Sequence, residues 1–483
     1  MNIAYEARRG ARWLLISTAA GQLLSWVATL VTARLLIPSD YGLMAMSETL
    51  SPYLMMTAML GLDHWLVQRA QVGEKEERVV FFLACILGTI ATVIAFAAAP
   101  LLAWFFKEPQ VVAPFRVLSL TFLLRALQIV PEAKLRRRLA FDALSSCALA
   151  TTVVRSLSQV LLAWYGLGFW ALVTGSLLRE VISCAWLLLL TRQPLRISWD
   201  FRLAREAIRF GGLQTGATIL WIVFATFDNL VVVRLFGTEV LGYYAMAFYL
   251  ADLPLAKING TFNPLFSAYY SRVKQTPALL RVAFCKISAL IFALVTPALL
   301  GALIVADLAV PLVLGEHWSP MTTPLEVMCL LGVLRAVFGN SPALFLACGR
   351  PDLNFWGSFA NALLLPPLFY FLARFAGLSG IYFAWLIVYP ITPAILMVRL
   401  YHLLDLPASE HWRYLKPSAI SAVSMTLIAV GMREVLGGYT GWEALGSLVI
   451  IGAACYALVY RLLYKSQFEA LVQEFRLVLR GGA

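Results

Sequence analysis

A stretch near the amino terminus recurs 200 residues later in the chain. Residues 30–50 read LVTARLLIPSDYGLMAMSETL, and residues 230–250 read LVVVRLFGTEVLGYYAMAFYL. Apolar composition raises chance identity, but it does not produce matched arginines and glycines. The two stretches therefore indicate an internal duplication. Eight of their 21 positions are identical: Leu30/Leu230, Val31/Val231, Arg34/Arg234, Leu35/Leu235, Gly42/Gly242, Ala45/Ala245, Met46/Met246 and Leu50/Leu250.

The whole chain has the composition of an integral membrane protein. Of its 483 residues, 61% are hydrophobic and 13% are charged, and the mean hydropathy is +0.80. No stretch has the ordinary charge density that a soluble domain needs. This excludes membrane enzymes with a catalytic ectodomain and pumps that carry a nucleotide-driven motor on the same chain. Channels, transporters and small membrane-embedded enzymes are left.

The apolar runs are long enough for transmembrane helices. A helix needs about 20 mainly apolar residues to cross the hydrocarbon core, whereas a barrel strand has about 10 alternating residues. The sequence thus predicts an all-α integral membrane protein with about 14 transmembrane helices. The predicted spans cover residues 13–37, 41–62, 79–103, 111–131, 140–165, 168–191, 211–236, 240–266, 279–305, 322–346, 354–374, 378–400, 415–436 and 443–464.

A second repeat, at a spacing of 210, extends the duplication. It includes Pro114/Pro324, Val117/Val327, Leu120/Leu330, Leu124/Leu334, Arg125/Arg335 and Ala126/Ala336. Six spans separate equivalent segments, and since six is even, the halves have the same orientation, with substrate expected between them. We expect an N-terminal six-helix lobe at 1–209, which includes a cytoplasmic linker at 192–209. A C-terminal six-helix lobe follows at 210–410, and two additional helices and a cytoplasmic amphipathic tail occupy 411–483.

The basic residues are distributed unevenly between alternate loops. Of the 38 lysines and arginines, 26 lie on the side of the amino terminus and five lie opposite. Positively charged loops stay in the cytoplasm, so both termini are predicted to be cytoplasmic. The net charge of +12 then reflects topology, and nucleic acid is not an expected partner. Residues 199–210 and the tail, with Phe468, Leu471, Val472, Phe475 and Leu479 at helical spacing, are predicted interfacial helices.

Ionisable residues at bilayer depth are costly and usually face a cavity or a partner, so they are the best functional candidates. Basic residues outnumber acidic ones there, and guanidinium groups bind phosphate in a bidentate manner. The alternative is that these charges only pair inside the bundle, as Arg179 and the adjacent Glu180 would. The substrate-binding candidates are Arg125, Arg335, Arg155, Lys257, Arg34 and Arg234, of which the last two lie at span ends. The coupling-ion candidates are Asp228, Asp252 and Glu48.

The sequence shows no pattern for catalysis, metal or cofactor binding. The seven cysteines occur singly, without CxxC spacing, and the four histidines lie far apart. An enzyme usually needs paired acids, a nucleophile with its base, or a metal cluster. We therefore expect no enzyme activity, no metal and no cofactor.

Four motifs resemble those of a known family, the Wzx-type polysaccharide flippases. This family belongs to the superfamily that also contains the multidrug exporters and the lipid II flippases. The similarity extends over nearly the whole chain. The motifs are residues 32–42 (TARLLIPSDYG), 166–173 (GLGFWALV), 237–244 (GTEVLGYY) and 349–352 (GRPD).

The resemblance implies a two-lobed, V-shaped helical fold around a central cavity. By alternating access, such a protein moves a lipid-pyrophosphate-linked oligosaccharide, carried on undecaprenyl pyrophosphate, across the cytoplasmic membrane of a bacterium. The product serves assembly of exopolysaccharide, capsule or O-antigen, with a polysaccharide polymerase and export machinery as candidate partners beside the membrane lipids. The resemblance also implies a basic cavity for the pyrophosphate. Arg125 and Arg335 are our own assignment to it, because no family motif contains them.

Two other functions stay open. A cation-coupled multidrug exporter of the same superfamily would need an acid-lined cavity, whereas arginines prevail here. A membrane polysaccharide polymerase or ligase typically needs a substantial outer loop for its chemistry. The longest predicted outer loop, 306–321, offers only Asp307, Glu316 and His317.

Overall fold

The computed structural model describes residues 3–69, 72–138, 140–192, 198–435, 441–465 and 469. These residues form helices and connecting turns, with no strand among them, which confirms the all-α prediction. The predicted amphipathic tail, including Phe468, Leu471, Val472, Phe475 and Leu479, lies outside the described residues. The helices are α1 (Ile3–Leu35), α2 (Pro38–Thr49), α3 (Ser51–Met59), α4 (Leu62–Gln68), α5 (Glu74–Phe106), α6 (Val112–Arg137), α7 (Phe141–Trp164), α8 (Phe169–Thr191), α9 (Phe201–Phe236), α10 (Thr238–Val273), α11 (Pro277–Ala309), α12 (Thr322–Phe338), α13 (Ser341–Ala347), α14 (Pro351–Ala376), α15 (Leu378–Phe383), α16 (Ile391–Leu404), α17 (Ala408–Val435) and α18 (Trp442–Leu463).

Eleven helical segments of the described chain are long and apolar enough to cross a membrane, so the predicted number of 14 is not confirmed. The predicted second span, 41–62, is divided among α2, α3 and α4. Pro52 lies in the first turn of α3, and the left-handed residues Leu60 (φ 41°) and Gly61 (φ 62°) separate α3 from α4. Asp252 and Lys257 lower the hydropathy of α10, the predicted eighth span. In α1, the predicted first span, the side chains of residues 3–16 lie outside the described part.

The chain divides into two compact units, Met1–Gly242 and Tyr243–Ala483. In the amino-terminal unit α5 packs on α6, α6 on α8, α8 on α7 and α7 on α1, while α9 packs against α2, α3, α4 and α5. One apolar core of this unit joins α4, α5, α6 and α9 through fully buried residues such as Leu62, Val79, Ala126 and Ala207. The position of α6, which carries Arg125, is thus fixed on several sides.

The carboxyl-terminal unit is organised around α11. This helix packs against α12, α17 and α18, and Phe284, Ile291 and Val295 on it are fully buried. The Tyr456 hydroxyl of α18 donates a hydrogen bond to the Ala293 carbonyl of α11 at 3.0 Å. The two last helices therefore pack directly on α11.

The starts of equivalent helices repeat the spacings found in the sequence. Helix α2 begins at Pro38 and α10 at Thr238, which are 200 residues apart. Helix α6 begins at Val112 and α12 at Thr322, which are 210 residues apart. The boundary between the predicted six-helix lobes, at 209/210, stays a prediction, and the helix that contains it, α9, belongs to the amino-terminal unit by its contacts.

Candidate functional site

Close packing between α5 and α6 sets the direction of Arg125. A Cβ atom added to Gly88 of α5 would lie 2.5 Å from the Cβ of Ala126, so the two helices approach each other as closely as a glycine allows. Ala126 is fully buried. Its neighbour Arg125 points about 100° away around the helix, and 35% of its side chain is exposed.

Arg125 forms an ion pair with Glu180 of α8. The Arg125 Nε lies 3.4 Å from the Glu180 Oε2, and the Glu180 side chain is 14% exposed. The buried Gln128 also donates to Glu180 Oε2, at 3.2 Å, and its Oε1 accepts a 2.7 Å hydrogen bond from Ser183. Glu180 is therefore held by α6 as well as by its own helix, and among the described residues the terminal nitrogens of Arg125 make no hydrogen bond.

Two further arginines lie close to this pair. The charge of Arg179 interacts with those of Arg155, Glu180 and Arg125, and Arg155 interacts with Glu48 of α2. Arg155, Arg179, Arg125 and the two glutamates thus form one group, called here the unit 1 cluster. Its three arginines and two glutamates leave one positive charge in excess. Like charges at bilayer depth repel strongly, so a bound anion would lower the energy of this cluster.

In the carboxyl-terminal unit Arg335 occupies the equivalent position on α12. Its Nη1 donates a 2.8 Å hydrogen bond to Asp252 Oδ1 of α10, and the two side chains are 27% and 29% exposed. The guanidinium also lies 5.9 Å from the centre of the Phe248 ring and is hydrogen-bonded to the Tyr389 hydroxyl. We call these four residues the unit 2 cluster. Because its one arginine and one aspartate balance, it is neutral as described.

Packing of α12 against α11 sets the direction of Arg335, as packing of α6 against α5 sets the direction of Arg125. A Cβ atom added to Gly332, one turn before Arg335, would lie 2.5 Å from Leu299 Cδ1 of α11. Ala336, the next residue after Arg335, is buried, as Ala126 is after Arg125. Both arginines thus follow the same pattern, with a buried alanine directing them away from the packed side of the helix.

The remaining substrate-binding candidates lie outside both clusters. Arg34 and Arg234 are exposed near the ends of α1 and α9, and the Arg234 guanidinium lies 6.0 Å from the Phe105 ring centre. Lys257 is exposed on α10. Their roles in substrate binding stay predictions.

The three coupling-ion candidates have different surroundings. Asp228 of α9 is 1% exposed, and its Oδ1 accepts a 2.9 Å hydrogen bond from the Asn229 amide. It also interacts with Tyr53, whose hydroxyl lies 2.8 Å from that of Thr226. Asp252 belongs to the unit 2 cluster and Glu48 to the unit 1 cluster. Among the residues that the structure describes, no group of three or more His, Cys, Asp and Glu could hold a metal ion.

Sequence reasoning missed several members of these clusters. Residues adjacent on a helix point about 100° apart, and besides its interaction with the neighbouring Arg179, Glu180 reaches Arg125 on α6. No sequence pattern indicated that Gln128 and Tyr389 belong to these clusters, since uncharged polar residues are common in helices. The spacing of Arg125 and Gln128 by three, one helical turn, was the only pattern that could have suggested their shared partner.

The motif residues have structural roles at the start of α2 and α8. Asp40 Oδ1 accepts a 3.0 Å hydrogen bond from the amide of Phe169, the first residue of α8, and its Oδ2 accepts one from the Ile37 amide at 3.2 Å. Burial raises the pKa of Asp40, while these two backbone hydrogen bonds act in the opposite direction. Asp40 therefore caps two helices at once, and it joins the motif 32–42 to the motif 166–173.

The glycines of two motifs allow a close crossing of α2 with the start of α10. A Cβ atom on Gly42 would lie 2.0 Å from the Thr238 carbonyl oxygen, and one on Gly242 would lie 1.9 Å from the Pro38 carbonyl oxygen. Gly42 and Gly242 are equivalent in the duplication, as are Pro38 and Thr238. The crossing is therefore reciprocal, and each half of the repeat contributes one glycine and one carbonyl.

The chain is similar to proteins of polysaccharide assembly along most of its length. It is 25% identical over 399 residues to the lipopolysaccharide biosynthesis protein WzxC of Escherichia coli, covering 80% of this chain and 79% of that protein. It is 24% identical over 495 residues to the teichuronic acid biosynthesis protein TuaB of Bacillus subtilis, covering 99% of each. The succinoglycan biosynthesis transport protein ExoT of Rhizobium meliloti is 22% identical over 366 residues, which cover 74% of this chain and 73% of that protein.

Solved structures with the same fold are membrane transporters. The lipid II flippase MurJ, in an inward closed conformation, superposes with a TM-score of 0.73 at 13% identity, covering 94% of this chain and 99% of MurJ. An inward-facing multidrug resistance MATE transporter of the MOP superfamily gives 0.63 at 14% identity, covering 81% and 98%. These matches confirm the resemblance to Wzx-type flippases noted from the motifs. The family described as polysaccharide biosynthesis protein matches residues 31–323, and this chain is a member of that family.

Proposed function

We propose that this chain is a flippase, which moves a lipid-pyrophosphate-linked oligosaccharide repeat unit across the cytoplasmic membrane by alternating access. The family membership and the names of the relatives support a role in polysaccharide assembly. The multi-pass helical fold, shared with lipid II flippase MurJ, supports transport. In this proposal both termini are cytoplasmic, and the arginine clusters bind the pyrophosphate.

The observation that carries the proposal is the unit 1 cluster. Arg125 approaches Glu180 with Nε at 3.4 Å, and because its terminal nitrogens make no hydrogen bond to the described residues, they are available for a second acceptor. Arg155 and Arg179 add positive charge nearby. A pyrophosphate has several oxygens that accept charge-assisted hydrogen bonds, and guanidinium groups provide donors in matching geometry. An uncharged or cationic cargo would gain nothing from this cluster.

In the unit 2 cluster, Arg335 can bind a phosphate only when Asp252 is protonated or moves away. At 2.8 Å this pair is shorter than the pair of Arg125 with Glu180 at 3.4 Å. We therefore assign the contact with pyrophosphate to the unit 1 cluster.

The central experiment is mass spectrometry of lipids from a strain that lacks this gene, beside a complemented strain. A flippase defect should cause one lipid-pyrophosphate oligosaccharide to accumulate, facing the cytoplasm. Loss of polymer with the lipid-linked unit already facing outward would assign the chain to polymerisation instead. An unchanged lipid profile, with drug resistance conferred by expression, would indicate the multidrug exporter.

Variants of the complementing gene test the arginines. Arg125→Ala and Arg335→Ala should abolish polymer export at normal protein level, and the Lys variants should restore part of it because the charge remains. Arg116→Ala is the matched control on α6, since that arginine is half-buried outside both clusters and its guanidinium lies 4.6 Å from the Phe96 ring centre. Arg433→Ala is the control for an arginine paired with an aspartate, Asp307. Normal export by the Arg125→Ala/Arg335→Ala double variant would remove both arginines from the binding site.

The two partners of one ion pair provide a sharper test. If the Arg125–Glu180 pair is only structural, then changing either residue should have the same effect. If Glu180 competes with the anion for Arg125, Glu180→Gln should tighten binding of a short polyprenyl pyrophosphate, whereas Arg125→Ala should weaken it. Affinity of the purified protein for farnesyl pyrophosphate measures both. Changes of the same sign in the two variants would contradict a ligand role for the pair.

A further inference from the structure

The first turns of α9 carry an unusual distribution of charge. We call residues 199–210 the linker segment, and its helical part begins at Phe201. Asp200 caps the helix, because its Oδ1 accepts hydrogen bonds from the amides of Arg202 at 3.0 Å and Leu203 at 3.3 Å. The segment continues without a break into the rest of α9, whose part from Thr218 to Phe236 is apolar enough to cross the membrane.

One face of the linker segment is docked on the amino-terminal unit. Ala204 and Ala207 are 2% and 0% exposed and belong to the core formed with α4, α5 and α6. The acidic residues of the segment are also engaged by this unit. Asp200 lies 2.7 Å from the Lys75 ammonium, and Glu206 lies 2.7 Å from an Arg69 nitrogen.

The opposite face carries three arginines. At 100° per residue, Arg202, Arg205 and Arg209 lie within about 60° of one another and roughly 160° from the direction of Ala204 and Ala207. All three are exposed, and within the described part of the chain none of their guanidinium groups has a hydrogen bond or an ion pair. Because the segment's acids are paired with Lys75 and Arg69, the arginine face is left with an uncompensated charge of three.

Large apolar side chains flank the arginines. Phe201 is 69% exposed and Ile208 is 39% exposed, and both lie on the flank between the docked face and the arginine face. Trp199, which is 52% exposed, packs edge to face on Phe82 with ring centres 5.9 Å apart. Aromatic and aliphatic side chains next to a basic face are the pattern of a helix lying at a membrane surface.

The segment lies at the charged end of the bundle. Its two partners lie near the start of α5: Arg69 precedes this helix and Lys75 is in its first turn. The end of α6 contacts the same part of α5, because Lys134 lies 2.6 Å from Glu77. The loop charges assign this end to the cytoplasm. The cytoplasmic leaflet carries the anionic lipids, which attract arginines near the membrane surface.

We propose that the linker segment is a binding site for anionic phospholipid headgroups of the cytoplasmic leaflet, with Arg202, Arg205 and Arg209 as its phosphate ligands. This inference is independent of the transported cargo. Phe201 and Ile208 provide apolar contacts beside the bound headgroups. A soluble acidic protein would match the arginines equally well, but it would leave these apolar side chains and the adjoining membrane span unexplained.

The test compares two triple variants of the full-length protein in lipid nanodiscs. The first is Arg202→Gln/Arg205→Gln/Arg209→Gln. The control is Arg272→Gln/Arg399→Gln/Arg413→Gln, which removes the same charge from three other exposed arginines on the predicted cytoplasmic side. Native mass spectrometry measures how many phosphatidylglycerol molecules each protein retains in competition with phosphatidylcholine, and thermal unfolding in detergent shows that each variant is folded.

We expect the linker variant to lose its preference for phosphatidylglycerol and the control to keep it. One arginine near an anionic surface changes affinity about fivefold, so three should change it on the order of 100-fold at low salt. The difference should shrink as salt is raised, because the charges are exposed. Equal losses in the two variants would assign the preference to net charge and overturn the site. Retention of phosphatidylglycerol by the linker variant would overturn it as well and leave a protein partner for this face.

Discussion

Replacing Gly42 by alanine should force apart α2 and the start of α10. The added Cβ atom would lie 2.0 Å from the Thr238 carbonyl oxygen, 2.9 Å from its carbonyl carbon and 2.9 Å from its Cγ2. A methyl group cannot approach an oxygen closer than about 3 Å without strong repulsion. The backbones must therefore separate by about 1 Å, since the main obstacle is a carbonyl and not the end of a flexible side chain.

The cost follows from overpacking. Extra methyl groups in a well-packed site cost typically 1–3 kcal/mol, and a shift of two backbones places Gly42→Ala toward the upper end, at about 3 kcal/mol. Gly242→Ala should cost a similar amount, because its Cβ would lie 1.9 Å from the Pro38 carbonyl oxygen. Once one substitution has separated the helices, the second meets less resistance. The double variant should thus be less destabilised than the sum of the single variants.

Thermal unfolding of the purified protein in detergent measures these effects. Gly301→Ala in α11 is the matched control, since an added Cβ there meets no atom within 4 Å. Alanine favours a helix over glycine by about 1 kcal/mol, so this control should be unchanged or slightly more stable. A melting temperature of Gly42→Ala at or above that of the wild type would refute the crossing. Additive losses in the double variant would show that the two glycines act at separate contacts.

Three further predictions concern the helix ends and the linker segment. Asp40→Ala should destabilise the protein by about 0.5–2 kcal/mol, because the amide of Phe169 loses its cap. Asp40→Asn should cost less, since the amide carbonyl of asparagine still accepts this hydrogen bond. Thermal unfolding compares the stability of the two variants. The hydrogen bond from Lys75 lowers the pKa of Asp200 below its ordinary value of 3.8, so Lys75→Ala should reduce stability near neutral pH and lose its effect as the pH falls below about 4. A pH-independent effect in unfolding experiments would contradict the ion pair. Asp352→Ala should free Arg350, whose Nε and Nη2 both donate to that carboxylate at 2.9 Å; faster amide hydrogen exchange in the first turn of α14 would show this.

The duplication could be detected in the sequence because it includes residue types that an apolar composition does not match by chance. Matched arginines and glycines gave the spacings of 200 and 210, and equivalent helices begin at those spacings. The all-helical membrane fold followed from composition and the length of the apolar runs. Both properties depend on many residues at once, so errors at single positions have little effect.

Breaks within helices and partners between helices were harder to predict. The break between α3 and α4 within 41–62 depends on a left-handed backbone at Leu60, a conformation that leucine rarely adopts and that no sequence pattern indicates. The linker segment was predicted as a separate interfacial helix, but it is the first part of α9. The pairing of Glu180 with Arg125 depends on how α6 and α8 are rotated about their axes, which tertiary packing decides.

The family motifs and the charged clusters have different roles in this chain. Asp40, Gly42 and Gly242 belong to the family motifs, and their contacts are caps and close helix crossings. Arg125 and Arg335 belong to no motif, yet they are the residues that contact a phosphate in the proposed function. A match of motifs therefore establishes the framework of helices shared with the relatives and leaves the cargo undetermined. In the proposed function, the choice of sugar therefore depends on side chains outside the family motifs.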